Sequence, residues 1–136
     1  MISHTAEYAL RAAVCLAAAG GDRVPTHVIA SETGVPPGYL PKVLVALSSA
    51  GVACARKGPA GGYRLTRPPE GISLLEVARA ADRILAVPDW AGHPGSPRGC
   101  SRLQAFLDQT QSGIEAALAG VMLSDMVDSA TNDKRI

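Results

Sequence analysis

The sequence predicts a mainly α-helical fold with one small β-hairpin, and three observations support this. Apolar residues recur at three- and four-residue steps over much of the chain. Two short helical patterns, separated by a turn at Pro36 and Pro37, lie between residues 26 and 50. Two short apolar segments then flank a glycine-rich basic loop within residues 52–65. This order of elements predicts a winged helix–turn–helix domain.

The first two helices are predicted from their ends. The first runs over residues 5–19 and stops at Gly20 and Gly21, with Cys15 interpreted as a small buried hydrophobe. The second is capped by Thr26 and ends near Gly34.

The third helix is predicted to open at Pro37, because proline suits the first helical turn. Leu40, Val43, Leu44 and Leu47 form its apolar stripe. Pro41 lies close to this start, and it leaves open a shifted or kinked beginning. The wing follows as strands over residues 52–55 and 63–65.

The C-terminal half begins with a capping box, in which Ser73 caps a short helix and Glu76 reaches back. After an irregular stretch, an apolar stripe predicts a long helix over residues 100–121, interpreted as a dimerisation helix. The alternative is that this helix folds back on its own domain. The predicted DNA-binding winged domain covers residues 1–83, and a sensor-type loop covers residues 84–99. A dimerisation region follows over residues 100–127, and a flexible tail over residues 128–136.

Composition restricts the class of protein. No apolar run is as long as a membrane span, and no signal-peptide pattern opens the chain, so a cytoplasmic protein without membrane association is expected. The three cysteines are widely spaced, which argues against a disulfide framework. No catalytic grouping or phosphate-binding loop is present, so the sequence predicts no enzyme.

The positive charge is concentrated on the helix–wing unit, although the formal net charge is only +1. Residues 33–69 contain no acidic residue and five basic ones: Lys42, Arg56, Lys57, Arg64 and Arg67. Residues 84–136 contain four basic and six acidic residues. Neutralising DNA phosphates requires such a concentration of charge. The alternative function is a protein-interaction module that uses the scaffold without reading DNA.

Several ordered segments resemble the IscR/NsrR/CymR family of bacterial regulators. They are Glu7-Tyr8-Ala9-Leu10-Arg11, Tyr39-Leu40, Val43-Leu44, Ala50-Gly51-Val52, the wing from Arg56 to Leu65, Arg67-Pro68-Pro69 and Ile72-Ser73-Leu74-Leu75-Glu76-Val77. The resemblance covers about residues 2–83 closely and the terminal helix more loosely. It implies a winged-helix homodimer that binds palindromic promoter DNA and usually represses transcription.

The resemblance also implies which residues contact DNA. Tyr39 and Lys42 are expected to reach the major groove, with packing beneath the helix as the alternative for Tyr39. On the wing, the expected contacts are Arg56, Lys57, Arg64 and the backbone of Gly61 and Gly62.

Many relatives hold an iron–sulfur cluster on three loop cysteines, whereas this loop keeps only Cys100. The other two places fall around Pro88 and Pro94, so no standard cluster and no metal site are predicted. A non-standard set from His93, Cys100, His4 and Glu7 remains an alternative, since some relatives recruit a first-helix ligand from the partner chain. Cys100 is otherwise interpreted as a redox thiol or as inert, with the loop binding a small ligand, a partner protein or nothing.

Overall fold

The computed structural model describes residues 2–81 and 100–127. These form five α-helices, a two-stranded antiparallel sheet and a short 3₁₀ turn, which confirms the predicted fold class. The helices are α1 (His4–Ala18), α2 (Thr26–Thr33), α3 (Leu40–Ser49), α4 (Leu74–Ala81) and α5 (Cys100–Ala119); the strands are β1 (Ala53–Arg56) and β2 (Gly62–Leu65); the 3₁₀ turn is Pro69–Gly71. A last helical turn covers residues 123–127. Within the described ranges, no helix is both long and apolar enough to cross a membrane.

The caps of α1 and α2 differ. The Ala6 N–H donates to Ser3 Oγ at 3.2 Å, so a serine side chain caps α1. At α2, the extended Pro25 occupies the cap position and no side chain caps the helix. The predicted Thr26 cap is therefore wrong by one residue, because the Pro25 carbonyl already accepts hydrogen bonds from Val28 and Ile29.

The predicted start of α3 at Pro37 is also wrong. Residues 37–39 form a turn in which the N–H groups of Tyr39 and Leu40 both donate to the Pro36 carbonyl. The helix begins at Leu40, which places Pro41 in its first turn. A missing N–H is harmless there because the first N–H groups of a helix have no intrahelical acceptor. Pro41 is therefore compatible with this start.

The wing pairs Ala53 with Leu65 and Arg56 with Gly62, and a third segment joins it at Val24. Val24 and Tyr63 exchange two backbone hydrogen bonds of 2.8 and 2.9 Å. Gly62 has φ +136°, and a Cβ there would stand 2.5 Å from the Val24 carbonyl oxygen. The close approach of the α1–α2 link to the wing therefore requires glycine at this position.

One apolar core joins the N-terminal helices, α4 and the C-terminal turn. It includes Leu16, Ile29, Leu44, Val77 and Leu123, all at most 1% exposed. Cys15 is half-buried and packs against the edge of this core, and its thiol also donates to Glu32 Oε2 at 3.2 Å, so the prediction of a buried hydrophobe holds only in part.

The C-terminal region is attached to the core by backbone hydrogen bonds. Leu74 N–H donates to the Val121 carbonyl and Leu123 N–H donates to the Ile72 carbonyl, both at 2.9 Å. The Glu76 N–H donates to Ser73 Oγ at 3.1 Å, as the capping box predicted. The capping box also predicts that the Glu76 side chain reaches back to Ser73, but the Glu76 carboxylate accepts a hydrogen bond from Arg67 instead.

Candidate nucleic-acid interface

The buried residues of α3 fix which of its side chains face outward. Leu40, Val43, Leu44 and Leu47 are all at most 1% exposed. The remaining side chains near the start of the helix are exposed: Pro41, Lys42, Val45 and, one turn later, Ser49. Lys42 therefore points away from the core, as a DNA-contacting residue must.

Tyr39 both packs and remains accessible. It lies directly before α3, with 49% of its surface exposed. Its ring centroid is 5.6 Å from that of Tyr8 on α1, with an interplanar angle of 53°. The Arg11 guanidinium carbon lies 5.8 Å from the Tyr8 ring centroid. The His4 ring also stacks on Tyr8, with 6.1 Å between the two ring centroids. The two predicted roles of Tyr39 are compatible, because one face packs on α1 while the rest is free to contact a ligand.

The wing presents its predicted basic residues to solvent. Arg56, Lys57 and Arg64 are exposed, whereas Gly61 and Gly62 are half-buried at the end of the loop. The Gly61 N–H donates to the Gly58 carbonyl at 2.9 Å, and a Cβ on Gly61 would lie 2.3 Å from the Arg56 carbonyl oxygen. The glycine pair therefore allows a tight loop, with Arg56 and Lys57 where the loop begins.

The basic residues of this region differ in whether an acidic side chain neutralises them. Arg67 is bound by Glu76 on α4. Within residues 2–81 and 100–127, the other four, Lys42, Arg56, Lys57 and Arg64, make no salt bridge. Their charge is therefore available to an anionic ligand.

Two features of this surface were not predicted from the sequence. A cleft of about 320 Å³ separates the wing from the start of α2, and Thr26, His27 and Arg56 line it together with wing-loop residues. Only the Val24–Tyr63 pairing brings His27 beside the wing, and no spacing in the sequence signals that pairing. Val45 on α3, which is 59% exposed, was missed as well.

The predicted sensor residues are only partly described. The Glu7 carboxylate accepts from Arg11 Nη2 at 2.5 Å and lies 3.9 Å from His4 Nδ1. Cys100 begins α5, while His93 and the predicted loop 84–99 lie outside the described residues. Among the described residues, no group of three or more His, Cys, Asp or Glu side chains could hold a metal ion.

Comparison with protein families gives a match over nearly the whole chain. The family described as "Rrf2: Iron-dependent Transcriptional regulator" matches residues 2–129. The chain belongs to the Rrf2 family. This confirms the resemblance on which the sequence prediction relied.

Three similar proteins illustrate the match. A putative HTH-type transcriptional regulator of Mycobacterium tuberculosis (Rv1287) is 42% identical over 86 residues, which are 62% of this chain and 53% of that protein. The regulator IscR of Cereibacter sphaeroides is 33% identical over 119 residues, 85% of this chain and 76% of the relative. The solved structure of T. potens IscR superposes with a TM-score of 0.74 at 25% identity, covering 96% of this chain and 88% of the other.

The chain spans about half the length of the mycobacterial relative. Both curated relatives are named as transcriptional regulators rather than as enzymes, as the sequence predicted for this chain.

Proposed function

We propose that this protein is a homodimeric transcription regulator that binds palindromic promoter DNA and represses transcription by covering the promoter. One observation carries the proposal. The side chains of Lys42, Arg56, Lys57 and Arg64 are exposed and make no ion pair within the described residues, and all lie on α3 or the wing. Unpaired cations on a helix–turn–helix and its wing suit phosphate neutralisation.

The two parts of this surface have different tasks. The exposed first turn of α3, with Tyr39 and Lys42, would enter the major groove, where base edges differ between base pairs. The wing corner, with Arg56 and Lys57, would reach the adjacent minor groove, where arginine responds to groove width. Arg64 and the backbone of Gly61 and Gly62 would contact the sugar–phosphate backbone. The protein would act in the cytoplasm, where bacterial DNA lies.

Homodimerisation is proposed from the surface of α5. Phe106 is 65% exposed and Leu103 is also exposed, whereas Leu107, Ile114 and Leu118 are half-buried. Such an apolar stripe is unfavourable in water unless a partner covers it. A second copy would supply the same stripe and a two-fold axis, and a palindromic site has matching symmetry.

The family description names iron dependence, but a standard cluster is not part of the proposal. Glu7 is engaged by Arg11, and the stretch before α5 contains no cysteine, with Cys100 as the first residue of the helix itself. The expected result is a colourless, iron-free protein after purification without oxygen. Visible absorption with stoichiometric iron would overturn this part and would direct mutagenesis to Glu7, His93 and Cys100.

The test of DNA binding begins with selection from a random duplex pool and uses the full chain. Affinity for the selected duplex is measured between about 50 and 200 mM salt, where counterion release weakens binding steeply. The combined Arg56→Ala and Lys57→Ala changes should make the dependence of log K on log salt shallower, by about one for each phosphate that the wing no longer neutralises.

The matched control removes two basic residues outside α3 and the wing, through Arg102→Ala and Lys134→Ala. This control should leave the slope near that of the wild type. An unchanged slope in the wing variant would show that the wing does not contact DNA. If the pool yields no enriched sequence and binding shows no salt dependence, the protein-interaction module becomes the better explanation.

A further inference from the structure

The outward face of α3 has few side chains that can read bases by hydrogen bonds. The helix contains no Arg, Asn, Gln, Asp or Glu, which together with Lys, Ser and Thr make the directional contacts with base edges. Lys42 and Ser49 are its exposed polar side chains, with Tyr39 just before the helix. Lysine offers a point charge on a flexible stem, so it contributes more to affinity than to discrimination.

Val45 lies at the centre of this face. At 100° per residue, Pro41, Val45, Ser49 and Lys42 fall within about 100° around the helix axis, with Val45 between Pro41 and Lys42. Val45 is 59% exposed, the most exposed large apolar side chain of residues 2–81.

Local folding does not account for valine at this position. β-Branched residues are weaker helix formers than alanine, lysine or glutamate, so a helix gains nothing from an exposed valine. A single exposed apolar residue is ordinary on a protein surface. The setting of Val45 is different, because it neighbours the cation Lys42 and Ser49 on the face that the proposed function places in the major groove.

The major groove exposes one apolar group, the 5-methyl of thymine, and small apolar side chains contact it. We propose that Val45 is a specificity-determining residue that packs against a thymine methyl group in each half-site. This inference rests on the proposed DNA-binding function. It predicts that the operator has a required thymine in each half-site, recognised by apolar contact.

The test combines an atom deletion in the DNA with one in the protein. In the duplex selected from the random pool, each thymine is replaced singly by deoxyuridine, which lacks only the methyl group. One replacement position per half-site should weaken wild-type binding by about fourfold, the value of one buried methyl. Val45→Ala should bind the thymine duplex more weakly and show no further loss with deoxyuridine at that position. Because Val45 is exposed, its truncation leaves the core intact, and an unchanged melting temperature verifies this.

The matched control is Ser49→Ala on the same face, which should retain the wild-type response to deoxyuridine. If no replacement alters wild-type affinity, or if Val45→Ala keeps the full response, the inference is wrong. In the first case no thymine methyl group contributes to recognition, and in the second a residue other than Val45 contacts it. In both cases DNA binding itself persists, so these outcomes are distinct from failure of the proposed function, in which no duplex is selected.

Discussion

The winged-helix part and α5 differ in how they bury their apolar side chains. Residues 2–81 supply every fully buried residue of the described chain except Leu123. Along residues 101–119 of α5, no side chain is buried and Phe106 is largely exposed. The first region therefore supplies almost the whole core, whereas the second keeps an apolar stripe that the rest of the described residues cover only in part.

The difference separates two kinds of stability. Among the described residues, α5 packs against α4, and the Arg79–Glu115 ion pair at 3.3 Å joins the two helices. The backbone pairing around Met122 and the buried Leu123 follow α5. The ion pair is too exposed to contribute much. We infer that intrachain packing stabilises residues 2–81, whereas association between copies stabilises the outer face of α5.

The largest expected effect comes from Leu123→Ala, which removes a fully buried side chain at the junction. It should lower the free energy of unfolding by about 2–5 kcal/mol, because it forfeits transfer energy and leaves a cavity. The measurement is urea unfolding at several protein concentrations. The midpoint should fall at every concentration while still rising with concentration, because dimer binding stabilises the folded state.

Phe106→Ala is the matched comparison on α5. It should abolish the concentration dependence and leave the midpoint at low concentration nearly unchanged. Equal effects of the two variants would contradict the contrast between the regions.

A smaller effect is expected where the wing packs against the α1–α2 link. Gly62→Ala combines a positive φ with a Cβ 2.5 Å from the Val24 carbonyl oxygen, so it should cost at least about 2 kcal/mol. Gly51→Ala also has a positive φ, but a Cβ there meets nothing within 4 Å, so about 1 kcal/mol is expected. Amide hydrogen exchange at Val24 and Tyr63 should accelerate locally in the Gly62 variant alone. Equal costs at the two glycines would show that the close approach is unimportant.

The smallest effect concerns the contact between Tyr8 and Tyr39. Tyr8→Leu removes the ring that packs on Tyr39, and an aromatic pair contributes about 0.5–1.5 kcal/mol. DNA affinity should therefore fall between about two- and twelvefold, measured by fluorescence anisotropy. Tyr8→Phe retains the ring and should bind as the wild type does. A similar loss in both variants would assign the effect to the hydroxyl group instead.

Local chemistry in the sequence was sufficient to predict most of the helices and the hairpin. Helical spacing found the buried face of α3, and Ser73 marked the start of α4 correctly. The errors concerned the first residues of α2 and α3, next to Pro25 and Pro41. A proline near a helix start is compatible with several first residues, and only the observed hydrogen bonds select among them.

By itself, the sequence determined the fold class and the concentration of basic residues on α3 and the wing, because periodicity, turn residues and charge are local properties. Only the tertiary structure decided which of these basic residues form an ion pair among the described residues. Arg67 does so, because Glu76 lies beside it although it is nine positions away in the sequence. It also decided that Val24 joins the wing, that His27 and Arg56 line one cleft, and that the Tyr39 ring packs on Tyr8. These are contacts between segments distant in sequence, and they depend on how α1, α2 and the wing pack around one core.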